Sequence, residues 1–296
     1  SDGVGCRIFD IGKDVKINDI NKISKEIYQE ISPPLLQKKL DFSLLQIQGN
    51  KLANTVLTEE GQNVLASHFE LIDTLVLFAA DEDIIIPWEI IRPKPIRDHI
   101  DVPTIRQKWR VIRWPTSTKS DVIDAMTKIN MLEDKIPIGN LLTIAEKNPH
   151  NLPHVIEPPS DVSELPNLVA DKNTVHLIGH YDRDNATLKI GSLKINLLTY
   201  DTFPFLGPTN IIISGCEAAA QNMDKNLLIE ISRRSKAATW APLVGISDDL
   251  AHEIDNDIAN FSIMGRKSSI NDIFIKRANT VPFYNIYTRY GFAYVN

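Results

Sequence analysis

Apolar and polar positions alternate along this chain in two periods, one typical of α-helices and the other of β-strands. The first helical stripe is formed by Ile20, Ile23, Ile27 and Ile31, with a cap at Asn18 or Asp19 and a stop at Pro33-Pro34. Further helices are predicted after Thr58, near 120–132, from Ser160 and over 221–234. Short apolar runs separate them, at 74–78, 109–114, 140–145, 174–180, 210–216 and 237–245. The alternation predicts an α/β fold with a mainly parallel sheet.

Two of the predicted strands end in the same way. Residues 174–180 read Thr-Val-His-Leu-Ile-Gly-His, and residues 210–216 read Asn-Ile-Ile-Ile-Ser-Gly-Cys. If the two strands are parallel neighbours, their carboxyl ends bring His180 and Cys216 to one crevice, where open α/β sheets place their active sites. Between them, residues 187–195 alternate around Gly191-Ser192. This alternation predicts a two-residue hairpin beside the crevice.

A thiol and an imidazole at one site indicate nucleophilic catalysis. Cysteine attacks as a thiolate, and its ordinary pKa near 8.5 requires a neighbouring base such as His180 to take the proton. The same imidazole would then protonate the leaving amine. Backbone N–H groups of Cys216 and Tyr181 could bind the oxyanion, and the preceding glycines would let a substrate approach the backbone. Asp182 and Glu217 are the nearest acids in sequence, and neither can be assigned as a third catalytic residue.

Composition excludes several classes of protein. The 32 basic and 38 acidic residues give a net charge of −6 without a basic run, which argues against nucleic-acid binding. Cys6 and Cys216 are too few for a disulfide scaffold, and no apolar run reaches the roughly 18 residues of a membrane span. The chain opens without a basic segment followed by an apolar one, as a secretory signal would require. We expect a soluble, cytoplasmic protein with a free thiol.

Other chemical interpretations of the same residues are weaker. On a strand, His176 and His180 lie roughly 13 Å apart and cannot share one metal ion, so His176 is interpreted as a packed strand residue. Zinc binding by Cys216, His180, Asp182 and Glu217 lacks a second cysteine and short-spaced ligand pairs. No phosphate-binding glycine loop is present. We therefore expect neither a metal nor another cofactor.

Five short motifs together resemble the CHAT family, the caspase-like cysteine peptidases often fused to TPR repeats. Two of them are the strand ends at His180 and Cys216, the latter followed by Glu-Ala-Ala. A third is Ile-Pro-Trp-Glu-Ile-Ile at 86–91, which is similar to a Pro-Trp-Glu stretch that precedes the family's peptidase core. Weaker matches lie at 240–249 and 287–291. The motifs span roughly residues 20–296 in the family's order.

The resemblance implies a caspase-like three-layer α/β fold of the caspase–separase clan, with a mainly parallel central sheet flanked by helices. Residues 136–296 would form the peptidase core, and residues 1–135 a supporting or degenerate, pseudo-peptidase region sharing one core with it. It also implies a cysteine endopeptidase with His180 and Cys216 as a dyad, cleaving a protein partner such as a gasdermin or another effector in prokaryotic immunity. A sensor subunit, or a sensor domain absent from this chain, would control it. The alternative is a catalytically silent scaffold or adaptor that binds a partner protein.

The chain also departs from its relatives near the dyad. Tyr181 replaces the glycine that usually follows the catalytic histidine, and its ring could narrow or gate the cleft. Ser214 replaces an acidic residue found in relatives that cleave after Arg or Lys. A specificity pocket is predicted near Ser214, Trp240 and Asp248, with Asp182 and Asp249 as further acids. The loop at 200–209 and the segment at 247–260 are candidates for ordering on activation.

One further motif is interpreted as structural. The indole of Trp88 would anchor a loop in the core, while Glu89 pairs with a backbone donor or an arginine.

Overall fold

The computed structural model describes residues 12, 17–71, 74–79, 86–94, 104–115, 138–182, 185, 187–196, 207–216, 231–232, 234–235, 237–263 and 269–291. Predicted helices at 120–132 and, for the most part, at 221–234 lie outside these residues, as does Glu217. For Cys216 the description covers the backbone.

A ten-stranded sheet forms the centre of the described structure. Its strands in chain order are β1 (Thr74–Ala79), β2 (Arg110–Pro115), β3 (Leu141–Ala145), β4 (Val155–Ile156), β5 (Thr174–Asp182), β6 (Thr187–Ile190), β7 (Leu193–Asn196), β8 (Asn210–Cys216), β9 (Ala238–Pro242) and β10 (Tyr287–Tyr290). In space the order is β1-β2-β10-β9-β8-β5-β3-β4, and β6 pairs with β5 and with β7.

The sheet consists of two parallel blocks that meet at one antiparallel pair. β9, β8, β5, β3 and β4 run in one direction, and β10, β2 and β1 run in the other. The predicted α/β class with a mainly parallel sheet is therefore confirmed. Strands β1 and β2 come from the part of the chain before residue 135, and their buried residues join the same core as those of later strands. The expectation of a shared core is confirmed, while the boundary at 135/136 stays a prediction.

Seven helices accompany the sheet in the described residues, together with 3₁₀ turns at Trp88–Ile90, Val162–Glu164 and Pro282–Ile286. They are α1 (Ile17–Leu36), α2 (Phe42–Val56), α3 (Glu59–Ser67), α4 (Ile105–Lys108), α5 (Leu165–Val169), α6 (Asp248–Ile263) and α7 (Ile270–Ala278). Side chains cap several of these helices: the Asp41 carboxylate accepts from the Leu44 N–H, and the Thr58 hydroxyl, as predicted, from the Gly61 N–H.

The predicted limits of α1 are wrong at both ends. It begins at Ile17, so Asn18 and Asp19 lie inside its first turn, and it continues through Pro33 and Pro34 to Leu36. A proline removes its own N–H, but the residues after it still donate, as Gln37 does to the Pro33 carbonyl. The chain turns only at Lys38, whose φ of 55° is left-handed and whose N–H donates to the Leu35 carbonyl.

The structural interpretation of Trp88 and Glu89 is confirmed. Glu89 is fully buried, and its carboxylate accepts from Arg113 Nη2 at 2.5 Å and from Arg113 Nε at 3.3 Å. Arg106, also fully buried, lies 3.8 Å from the same carboxylate. Trp88 is half-buried against the core. This ion pair fixes the turn at 88–90 to strand β2.

Among the residues that the structure describes, no helix combines the length and apolar character needed to cross a membrane.

Candidate active site at the ends of two parallel strands

Strands β5 and β8 are parallel neighbours, as predicted. Seven residue pairs connect them, from Thr174 with Asn210 at the start to His180 with Cys216 at the carboxyl end. The residues between are buried on both faces of the sheet, with Leu177 and Ile211 on one face and Ile178 and Ile212 on the other, which is typical of central parallel strands. Adjacent strands lie about 4.8 Å apart, so the backbones of residues 180 and 216 are direct neighbours. The side chain of His180 is exposed at this edge.

The predicted hairpin is present beside His180. Strands β6 and β7 are joined at Gly191, whose φ of +56° matches the first central position of a II′ turn. β6 continues the sheet along the end of β5, with Lys189 paired to His180. The hairpin therefore forms one wall of the edge at which His180 lies.

Gly179 is required by this hairpin. A Cβ at Gly179 would lie 2.3 Å from the Lys189 carbonyl oxygen and 2.8 Å from Cγ1 of Ile190. The space beside Gly179 is thus filled by β6, and the expectation that it admits substrate is corrected.

Asp182 is engaged by the same hairpin. Its carboxylate accepts from Lys189 Nζ at 2.7 Å and from the Asn185 side-chain amide at 3.2 Å. The Lys189 hydrogen bond, followed by that of Asn185, lowers the pKa of Asp182 to about 2. Within the described residues no hydrogen bond reaches the His180 imidazole. The third catalytic position stays unassigned.

Tyr181 does not gate the cleft. Its side chain is buried, with 4% exposed, because alternation along β5 places it on the opposite face of the sheet from His180. The expectation that the ring narrows the cleft is wrong for this reason. The burial of the ring does not change the backbone N–H of Tyr181.

Two residues assigned to the specificity pocket are inside the protein. Ser214 is buried and hydrogen-bonded within the sheet, and Trp240 is buried against Phe274, with ring centroids 4.9 Å apart. The register pairs Trp240 with Ile212, four residues before Cys216 and therefore well below the edge. Both assignments are corrected, since neither side chain offers surface to a substrate.

Asp248 and Asp249 lie in the first turn of α6, and both are exposed. Asp249 is 3.5 Å from Lys38 Nζ, which also contacts Glu253 at 3.0 Å. Their role in substrate binding stays a prediction. The segment 247–260, a candidate for ordering on activation, is mostly helical. Of the candidate loop at 200–209, residues 200–206 lie outside the described part of the chain.

A buried polar cluster below the dyad was missed at the level of sequence. Asp255 of α6 accepts from Thr143 Oγ1, and lies 3.0 Å from His154 Nε2 and 3.0 Å from His176 Nδ1. Burial alone would raise the pKa of Asp255, but the hydrogen bonds of His154 and His176 outweigh it and lower the pKa. A signal was present: Asp255 lies on the apolar stripe of α6, with Ala251, Ile254, Ile258 and Ala259.

His176 has both ring nitrogens engaged, by Asp255 and by Ser214 at 2.7 Å, and its side chain is fully buried. Its interpretation as a packed strand residue is confirmed. In the part of the chain that the structure describes, no group of three or more His, Cys, Asp or Glu side chains has the arrangement of a metal site.

No protein-family model matches the chain, and no curated protein matches it by sequence. One solved structure of similar arrangement is that of the Arg-specific cysteine proteinase gingipain R, at a TM-score of 0.45 and 12% identity. The match covers 93% of this chain and 74% of the gingipain chain. A likeness at this level identifies neither a family nor an activity, so the chemistry must be inferred from the residues at the strand ends.

Proposed function

We propose that this chain is a cysteine peptidase of the caspase-like, CHAT type, with His180 as the base and Cys216 as the nucleophile. The observation that carries the proposal is the register of β5 and β8, which pairs these two residues at the carboxyl ends of adjacent strands. The exposure of His180 adds support, because a substrate must reach the imidazole. Of the five motifs that resemble the CHAT family, two end in the same residues.

In the proposed reaction, His180 takes the thiol proton of Cys216, and the thiolate attacks the carbonyl carbon of the scissile bond. The backbone N–H groups of Cys216 and Tyr181 donate to the oxyanion that forms. The imidazolium then gives its proton to the leaving amine, and the C–N bond breaks. A water molecule, activated by His180, hydrolyses the thioester and regenerates the thiol.

The proposed substrate is a protein segment bound in extended form beside the strand ends, where backbone hydrogen bonds can bind it. With Ser214 and Trp240 buried, the remaining candidates for substrate contact are the acidic residues Asp182, Asp248 and Asp249. The proposed setting is a regulated defence pathway in which a sensor partner controls the peptidase and a gasdermin or another effector is cleaved.

The test is cleavage of a peptide library, with cut sites mapped by mass spectrometry. Cys216→Ala and His180→Ala should each reduce cleavage at least about a thousandfold, because nucleophile and base act as a unit. Cys6→Ala, which removes the other cysteine, is the matched control and should cleave like the wild type.

Cleavage that survives Cys216→Ala would exclude the dyad. If the wild type cleaves nothing, even with its sensor present, and Cys216→Ala binds partners equally well, the silent scaffold becomes the better description.

A further inference from the structure

Four buried groups form a continuous hydrogen-bonded chain just below the proposed dyad. Tyr287 Oη lies 3.0 Å from Ser214 Oγ, Ser214 Oγ 2.7 Å from His176 Nε2, and His176 Nδ1 3.0 Å from Asp255 Oδ1. The order of Ser, His and Asp is that of a serine hydrolase triad. Ser214 is only 2% exposed, and His176 and Asp255 are 0% exposed. Ser214 therefore cannot attack a substrate, and this hydrogen-bonded chain of side chains must act through other residues.

The donors and acceptors along these hydrogen bonds follow one consistent direction. With Asp255 ionised, His176 Nδ1–H donates to it, and His176 Nε2 accepts the proton of Ser214. Ser214 Oγ in turn accepts from the Tyr287 hydroxyl, which is buried. Among the described residues the Tyr287 hydroxyl has no other hydrogen-bond acceptor, which fits this order of donors.

These hydrogen bonds connect β5 and β8, the two strands that carry the dyad, a few residues before their carboxyl ends. Ser214 is two residues before Cys216 on β8, and His176 is four residues before His180 on β5. The Ser214–His176 bond therefore crosses from one strand to the other on the face to which His180 belongs. Asp255 links the Ser214–His176 bond to α6. Its hydrogen bonds with Thr143 and His154 extend these contacts to β3 and to the segment before β4.

We propose that Ser214, His176 and Asp255 are positioning residues for the reaction at Cys216. The chain fixes β8 against β5 in the register that pairs Cys216 with His180, and so sets the approach of the thiol to its base. This inference deepens the proposed function and rests on it. Small errors in such an approach are costly, since a displacement of about 1 Å can reduce a rate about a hundredfold.

The experiment compares Ser214→Ala with Thr174→Val. Thr174, at the far end of β5, donates a buried hydrogen bond of 2.8 Å to the Ile138 carbonyl, so the control also removes a buried hydroxyl, with one hydrogen bond where Ser214 has two. We expect Ser214→Ala to lower kcat about tenfold with KM within about twofold, because geometry rather than binding is disturbed. Thr174→Val should lose some thermal stability and retain kcat. Ser214→Thr, which keeps a hydroxyl, should restore part of the lost kcat.

A second readout does not depend on peptidase activity. Iodoacetamide alkylation of Cys216, measured by mass spectrometry with Cys6 as the internal reference, should slow about tenfold in Ser214→Ala and be unchanged in Thr174→Val. A slowed alkylation without any measurable cleavage by the wild type would overturn the proposed function while retaining the positioning role.

Equal kcat and equal alkylation in Ser214→Ala and Thr174→Val would overturn the positioning role. If Ser214→Ala does not fold, Tyr287→Phe removes only the last hydroxyl of the chain and should still lower both rates about threefold. Wild-type rates in a folded Tyr287→Phe would then overturn it.

Discussion

Substituting Gly179 by alanine tests how the hairpin fixes the end of β5. The new Cβ would lie 2.3 Å from the Lys189 carbonyl oxygen and 3.1 Å from the carbonyl carbon, whereas carbon and oxygen need more than 3 Å. The obstructing atoms belong to the backbone of Lys189 and cannot be moved by a side-chain rotation, so β6 must shift by nearly 1 Å. Overpacking of this kind costs about 1–3 kcal/mol.

For a chain of 296 residues, with an unfolding entropy of about 2.1 cal/mol/K per residue, this cost corresponds to a decrease in Tm of about 2–5 °C. Because Lys189 pairs with His180, the same shift should also lower kcat of the proposed peptidase reaction. Circular dichroism melts give the first quantity, and peptide cleavage gives the second.

Gly12→Ala is the matched control, since a Cβ at Gly12 has nothing within 4 Å. Its Tm should remain within about 1 °C of the wild type, as is usual for surface substitutions. If Gly179→Ala melts at the same temperature as Gly12→Ala and cleaves normally, the close approach of β6 does not constrain the site, and the reasoning is refuted.

Two further predictions concern buried charge. Glu89→Ala removes the buried carboxylate that faces both Arg113 and Arg106, and should destabilise the protein by about 3–5 kcal/mol in urea unfolding. Glu26→Ala, which removes an exposed pair with Lys51, should leave the urea midpoint close to that of the wild type, and equal losses would contradict the argument from burial. Since the pKa of Asp255 is lowered from 3.8, its stabilising contribution is present above about pH 4 and is lost as the pH falls below that value. The difference in Tm between wild type and Asp255→Asn should therefore shrink between pH 5 and pH 2, and a constant difference would count against an ionised Asp255.

The buried hydrogen bonds of Ser214, His176 and Asp255 show that a Ser-His-Asp series of contacts is insufficient to identify a nucleophile. Ser214, His176 and Asp255 have the contacts of a triad, yet they lie inside the sheet. The side chain of His180 is exposed at the edge of the sheet, and its backbone pairs with that of Cys216. Exposure to solvent distinguishes His180 from Ser214, His176 and Asp255, and it depends on the position of a residue along its strand.

Much of the fold was predictable from local sequence. The β-branched apolar runs predicted β1, β2, β3, β5, β8 and β9, because strands buried on both faces need continuous apolar side chains, whereas β4 and β10 were not predicted. The hairpin followed from Gly191-Ser192 between two alternating segments, since only glycine adopts the required positive φ without strain. The limits of α1 were not predictable from Pro33 and Pro34, because the residues after a proline still donate their hydrogen bonds.

The sequence by itself determined the two strands that carry His180 and Cys216 near their carboxyl ends, since their similar patterns of apolar residues and glycine are local features. Only the tertiary structure decided which neighbouring side chains are buried. Ser214, Tyr181 and Trp240 lie beside the dyad in sequence or motif, but strand alternation turns Tyr181 to the opposite face, and the register places Ser214 and Trp240 deeper in the sheet. Asp255 is 79 positions from His176, and only the docking of α6 on the sheet brings the two together. Contacts of this kind depend on strand order and helix packing, which no short segment encodes.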